Sequence, residues 1–354
     1  MTKSVRHSAA LFLIAVLILG FPVFKVYAAA ALDNLEDVEA FFDGLFAVQQ
    51  WQYHVPGISV AVIQDGQAIF AKGYGYSDLE NKTPVDPYTT LHRPGSNGKL
   101  LVWTAVLQLV EQGKLDLDRD INDYLDFSIP NKLHNGKETE PITLHHLLTH
   151  TAGFEEVITG VFVLDPEEMQ PLGAYLQSNL PGRVFAPGTT AAYSNYGTSL
   201  AAYIVERAAN QPFSTYVEEH IFQPLGMTRS TFQQPLPPAL AKDMSKGYIY
   251  QNGKYTAGDF EYVQSYPAGG LTCSTMDMAK LIIAHLQLGA YGDERILKEE
   301  TALLMQGQHF ANHPEIPGMA YGFIENSVNG YRVLEHGGDT GLFHTGLYLI
   351  PQEQ

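Results

Sequence analysis

His92-Arg-Pro-Gly95-Ser96-Asn-Gly-Lys99-Leu-Leu-Val-Trp-Thr-Ala-Val-Leu-Gln-Leu-Val110 runs from a loop into a helix. Pro94 and Gly95 mark the loop, Leu100–Val110 is apolar almost all round, and Gly113 stands where a helix closes. A helix without a polar face has to be buried on most sides, so this one predicts the core of the fold. Ser96 is the only serine in the chain with a lysine three residues on. Side chains at i and i+3 share a helix face, which brings the Lys99 amine within reach of the Ser96 hydroxyl. The helix N-terminus offers free N–H groups to developing negative charge, and burial lowers a lysine pKa until a neutral amine is available as a base. By itself, a capping serine followed by a solvated lysine would read the same way.

Upstream, Asn34 is placed to cap a helix with apolar Leu35, Val38, Phe41, Phe42, Leu45 and Val48 at helical spacing, stopped by Pro56-Gly57. Ile58–Gln64 and Gln67–Tyr74 read as strands joined by the hairpin turn Asp65-Gly66. Downstream to about Gln264 the signals are mostly helical: Leu144–Thr149, Asn195–Ala209 and Phe213–Phe222. Ala279–Leu288 and Glu299–Met305 add two more helices. Strand patterns return at Met319–Asn326, Arg332–Glu335 and Gly341–Ile350. Strands, many helices, then strands predict an α+β fold: an antiparallel sheet flanked by helices, with a large helical insertion. The sheet parts are expected at about residues 31–95 and 265–354, and the helical part at about 96–264.

Two further elements carry chemistry. Tyr193-Ser194-Asn195 precedes the helical run 198–209 and supplies a phenol that can relay a proton and an amide that can hold a carbonyl. Tyr250-Gln-Asn252 has the same form, but Asn252-Gly253 reads as a hairpin turn between polar strands. His336-Gly337-Gly338 follows a strand, and its glycines allow close backbone approach. In this order and spacing, the three elements resemble the S-x-x-K, Y-x-N and K-T-G or H-x-G elements of the serine β-lactamase, penicillin-binding protein and esterase superfamily. Four other stretches agree: 108–117, 144–154, 222–227 and 267–271. The resemblance is to the class C-like branch, with its D-alanyl peptidases, D-aminopeptidases and carboxylesterases, and covers about residues 36–354.

The resemblance implies a β-lactamase-like fold and a serine hydrolase acting through an acyl-enzyme on amide or ester bonds, either D-alanyl peptides and esters or small carboxylic esters. The alternative is a β-lactamase or a penicillin-binding sensor module acylated without efficient turnover. Ser96 would be the nucleophile, Lys99 its partner and Tyr193 the proton relay, with the base left open between Lys99 and Tyr193. Asn195 would orient the substrate, and His336 and Gly338 would line the far wall. The N–H groups of Ser96 and Asp339 would form the oxyanion hole. His336 stands where β-lactamases carry a lysine. A histidine of ordinary pKa is mostly neutral at pH 7, which favours esters and peptides over penicillins. The family's final strand and helix have no counterpart before Gln354, so a chain truncated at its C-terminus is expected.

The whole chain sets outer bounds. Residues 1–30 have a basic head (Lys3, Arg6, His7), the apolar run 9–20 and small residues at 26–31, the layout of a signal peptide or N-terminal anchor. Their removal leaves 18 basic against 38 acidic residues, net −20. That charge repels nucleic acid and anionic lipid, so membrane contact is expected only through an uncleaved leader. An extracytoplasmic protein with a small-molecule, peptide or cell-wall substrate follows. Cys273 is the single cysteine and reads as a small buried residue. His146 and His150 stand four apart but lack the glutamate of a metallopeptidase, and Asp116, Asp118 and Asp120 lack the glycine of a calcium loop. No metal or cofactor is expected.

Overall fold

The computed structural model describes residues 34–353; the expected leader lies outside them. The chain divides into a unit ending at Phe42 and a unit Asp43–Gln354. Helix α1 (Leu35–Tyr53) starts where Asn34 Oδ1 accepts the Glu36 N–H and ends at His54, which turns to φ +54°. Its later apolar residues Leu45, Val48 and Trp51 are exposed, so the spacing was right for a helix but this face has no cover among the described residues.

Strands β1 (Gly57–Gln64) and β2 (Gln67–Asp78) pair antiparallel through Asp65 (φ +51°) and Gly66 (φ +73°), the two left-handed positions that a tight hairpin requires. The short β3 (Thr83–Pro84) adds to β2. A second sheet is built from β4 (Ile324–Val328), β5 (Tyr331–Asp339) and β6 (His344–Leu349), all antiparallel. These six strands therefore form two separate three-stranded sheets. Met319 does not open β4 as its pattern predicted. Gly322, at φ +83°, turns the chain against the Trp103 indole, and β4 begins two residues later.

Helix α2 (Lys99–Glu111) is buried continuously from Lys99 to Leu109 and packs against α4 (Asn195–Ala209), as its all-round apolarity requires. Each such apolar side chain taken from water contributes roughly 1.5–3 kcal/mol. Helix α3 (Leu144–Leu148) is opened by a reciprocal cap in which Thr143 N–H donates to His146 Nδ1. That employs His146 structurally, and the helix ends before His150, so the two histidines do not share a helix face. Residues 96–264 are less purely helical than expected. They include the hairpin Tyr248–Gln251 with Lys254–Ala257, turned at Asn252-Gly253 as predicted, and Phe162–Val163 pairs with Tyr262–Val263. The run 213–222 is not one regular helix: it widens into a π turn at Glu218–Phe222. Helices α5 (Thr275–Leu286) and α6 (Glu299–Gln306) lie close to their predicted ranges. Cys273 is a free, buried thiol whose pKa is raised by that burial.

Candidate active site

Pro94 leads into a tight turn, Gly95–Gly98, that runs directly into α2. Ser96 therefore sits inside the turn rather than capping the helix, and no side chain caps either element. Gly95 holds φ +55°, and a Cβ there would stand 2.6 Å from the Asp339 nitrogen, so only glycine lets β5 come this close. Gly338 does the same from the other side: a Cβ would meet the Pro94 oxygen at 2.0 Å. Thr345 Oγ1 donates to Pro94 O and accepts from Asn97 Nδ2, both at 2.9 Å, which ties β6 to the turn. The glycines of His336-Gly-Gly338 thus bring the end of β5, with the Asp339 N–H, against the Ser96 turn. The Asp339 carboxylate itself pairs with exposed His344 at 2.6 Å.

Lys99 is completely buried. Its Nζ donates to Ser96 Oγ (2.8 Å), Asn195 Oδ1 (2.7 Å) and Ala268 O (2.6 Å), and lies 4.9 Å from the centre of the Tyr193 ring. Burial pulls its pKa down to about 7, against a smaller opposing pull from the Glu156 carboxylate. Asn195 Oδ1 and Ala268 O can only accept. Once Lys99 is neutral, its two N–H bonds satisfy them and its lone pair points at the Ser96 hydroxyl.

Tyr193 is held from both chain neighbours by one residue. Ala192 N–H donates to His150 O (2.8 Å), and Ser194 N–H donates to His150 Nδ1 (3.2 Å). The His150 ring lies 4.5 Å from the Tyr193 ring and 5.9 Å from Trp103. His150 reaches this position at φ +54°, buried, and burial with the nearby Lys99 charge keeps it neutral. On its other side Tyr193 faces His336, with ring centres 6.0 Å apart. Burial drives the Tyr193 phenol well above 10, with Ser96 as a hydrogen-bonding neighbour opposing the rise. About a third of Tyr193 remains open to solvent, which places it at the mouth of the site.

His336 was expected to be mostly neutral at pH 7, and burial first and Lys99 second lower its pKa further, to about 4. Its Nδ1 lies 2.6 Å from Gly337 O. The histidine at this position is a neutral wall and brings no standing cation.

Ser96, Lys99, Tyr193, Asn195 and His336 converge as the sequence elements predicted, with Gly338 and Asp339 at the adjoining strand end. Sequence reading missed Ala268, His150 and Glu156. Ala268 and His150 lie within stretches 267–271 and 144–154 already noted for their resemblance, but the carbonyl and the ring carried no separate signal. Glu156, whose Oε2 accepts the Asn195 N–H (2.9 Å) and Oε1 the Asn195 Nδ2–H (2.6 Å), had none.

Residues 42–354 match the Beta-lactamase family. The chain belongs to the β-lactamase family. Within it, PbpX of Bacillus subtilis (strain 168), which carries the name of a candidate penicillin-binding protein, is 31% identical over 73% of this chain and 64% of its own length. Protein flp of Staphylococcus aureus (strain MW2) is 30% identical over 85% of this chain and 58% of its own. The chain thus spans about three fifths of the length of these curated relatives. Among solved structures, the octameric penicillin-binding protein homologue of Pyrococcus abyssi superposes with a TM-score of 0.74 at 26% identity, covering 90% of this chain and 71% of that one. A class C β-lactamase from Rhodobacter sphaeroides shares the fold, with a TM-score of 0.69 at 22% identity over 88% of this chain and 90% of its own. The mixed helical and antiparallel architecture of the β-lactamase fold is therefore that of this chain.

Proposed function

We propose that this chain is an exported serine hydrolase that cleaves ester or amide bonds through an acyl-Ser96 intermediate, on D-alanyl peptides or esters or on small carboxylic esters. One observation carries the reading: a fully buried Lys99 amine with a pKa near 7, pinned by two fixed acceptors and aimed at Ser96 Oγ. In the reaction, the Ser96 proton passes to Lys99 as Oγ attacks the carbonyl. The tetrahedral oxyanion rests on the N–H groups of Ser96 and Asp339. Collapse breaks the bond to the leaving group, which takes a proton from Lys99 through the Tyr193 hydroxyl. Water then attacks the acyl-enzyme by the same route and regenerates Ser96. A Tyr193 pKa well above 10 supports Lys99 rather than Tyr193 as the base, because a phenolate would be rare at pH 7. The neutral His336 wall supports substrates without a carboxylate at that position over penicillins. The basic head and apolar run of residues 3–20 support export.

Mixing the mature protein with p-nitrophenyl acetate tests the reading. The expected result is steady nitrophenol release, an acetyl adduct on the peptide containing Ser96, and no release above buffer by Ser96→Ala, which still folds. A burst without turnover would instead indicate a module that is acylated and stops. Wild-type turnover by Ser96→Ala would overturn the assignment of the nucleophile.

A further inference from the structure

Asn195 is engaged on both faces of its amide. Its backbone N–H and one Nδ2–H go to the two oxygens of Glu156, while its Oδ1 accepts from Lys99. The two-point contact fixes the carboxylate at the N-terminus of α4, where the helix end favours an anion. The amide that the resemblance assigns to a substrate carbonyl thus has an acid directly beside it.

Glu156 is exposed, whereas Lys99 behind it is completely buried. The chain of contacts from Glu156 through Asn195 and Lys99 to Ser96 has steps of 2.6, 2.7 and 2.8 Å, so the exposed carboxylate stands three hydrogen bonds from the Ser96 hydroxyl. A carboxylate oxygen accepts in two directions, and Asn195 uses only one on each. The other charged and titratable groups around it do not offset it. His150 and His336 are buried and neutral, Asp339 is a second acid at the strand end, and Lys99 is turned inward to three acceptors. The Arg93 guanidinium is buried and committed elsewhere, donating to the Glu261 carbonyl and stacked over Phe260.

We propose that Glu156 is a specificity residue that selects acyl groups bearing a cationic amine next to the scissile carbonyl, that is, aminoacyl esters and amides with a free amino group. The inference rests on the hydrolase reading above. The ammonium donates to the unused outward lone pairs of Glu156 and gains its charge. An acyl group presenting a carboxylate there meets repulsion, and a neutral alkyl group gains neither contact.

The test compares glycine p-nitrophenyl ester with p-nitrophenyl propionate at pH 6.5, where most of the amine is protonated, in wild type, Glu156→Gln and Glu156→Asp. Glutamine alters the hold on Asn195 for both substrates alike, so the ratio of the two kcat/KM values isolates the charge. A partly exposed charge contact predicts a ratio about fivefold lower in Glu156→Gln than in wild type. Glu156→Asp should keep most of the preference, and high salt should erode it in wild type. Equal ratios in wild type and Glu156→Gln would overturn the proposal while leaving the hydrolase reading intact. Should Glu156→Gln fail to fold, or wild type hydrolyse neither ester, binding to wild type decides. Glycinamide must then bind more tightly than propionamide in a salt-sensitive way, and equal binding refutes the role of Glu156. Absence of hydrolysis counts against the hydrolase reading alone.

Discussion

Lowering the pH should switch off the reaction through Lys99. Its pKa is about 7 because burial penalises the ammonium, and the reactive form is the neutral amine. Activity is therefore present above pH 7 and lost as pH falls through it. From a pKa of about 7, the neutral fraction is about 0.9 at pH 8 and about 0.01 at pH 5, so kcat/KM should fall about ninetyfold with unit slope. His336, at about 4, would leave the profile flat down to pH 5, and a Tyr193 base would keep activity climbing beyond pH 10. The assay is kcat/KM for p-nitrophenyl acetate against pH, with nitrophenol followed at its isosbestic wavelength. Lys99→Arg keeps a cation that does not deprotonate in this range and should be inactive throughout. Lys99→Ala, which avoids crowding the buried site, should be partly rescued by added ethylamine, which supplies the missing amine. An acid limb near 4, a flat profile, or an active Lys99→Arg enzyme would refute the assignment of Lys99 as base.

The same burial makes Lys99 a stability cost. Its folded pKa lies below the unfolded value of 10.5, so the unfolded chain binds the extra proton between about pH 7 and 10.5 and stability rises with pH across that window. Lys99→Met should be inactive yet more stable at pH 7 by roughly 2–4 kcal/mol, and urea unfolding at pH 7 and 10 should show the gain shrinking at the higher pH. His150→Phe retains a ring against Tyr193 but strands the buried Ser194 N–H. That should cost about 1–3 kcal/mol of stability, read as a lower Tm, and lower kcat with little change in KM because the segment holding Tyr193 is loosened. Gly338→Ala drives a methyl into the Pro94 carbonyl. It should lower stability by about 1–3 kcal/mol in chemical denaturation and slow acylation, because the Ser96 turn has to move.

What the sequence settled by itself is what short-range geometry controls. Ser96 and Lys99 lie within one turn, so spacing alone put the observed 2.8 Å contact between Oγ and Nζ within reach. The Asp65-Gly66 and Asn252-Gly253 hairpins were legible for the same reason, since φ above zero at both turn residues is a local demand. The all-round apolarity of Leu100–Val110 announced a buried helix, and Asn195–Ala209 matched to the residue. Tertiary structure decided everything that depends on what surrounds a group. Whether Lys99 is an ordinary cation or a base near pH 7 is a matter of the water removed from it and of the Asn195 and Ala268 oxygens, 96 and 169 residues away along the chain. His336 looked like a group that titrates near neutrality and is instead a neutral wall, because the fold buries it beside Lys99. Glu156 left no mark in the sequence at all, since an acid in a loop gains a role only when folding sets it across the N-terminus of a helix almost forty residues later. Spacing reports on neighbours within a turn; desolvation and charge depend on which distant segments close over a site, and those are known only once the chain has folded.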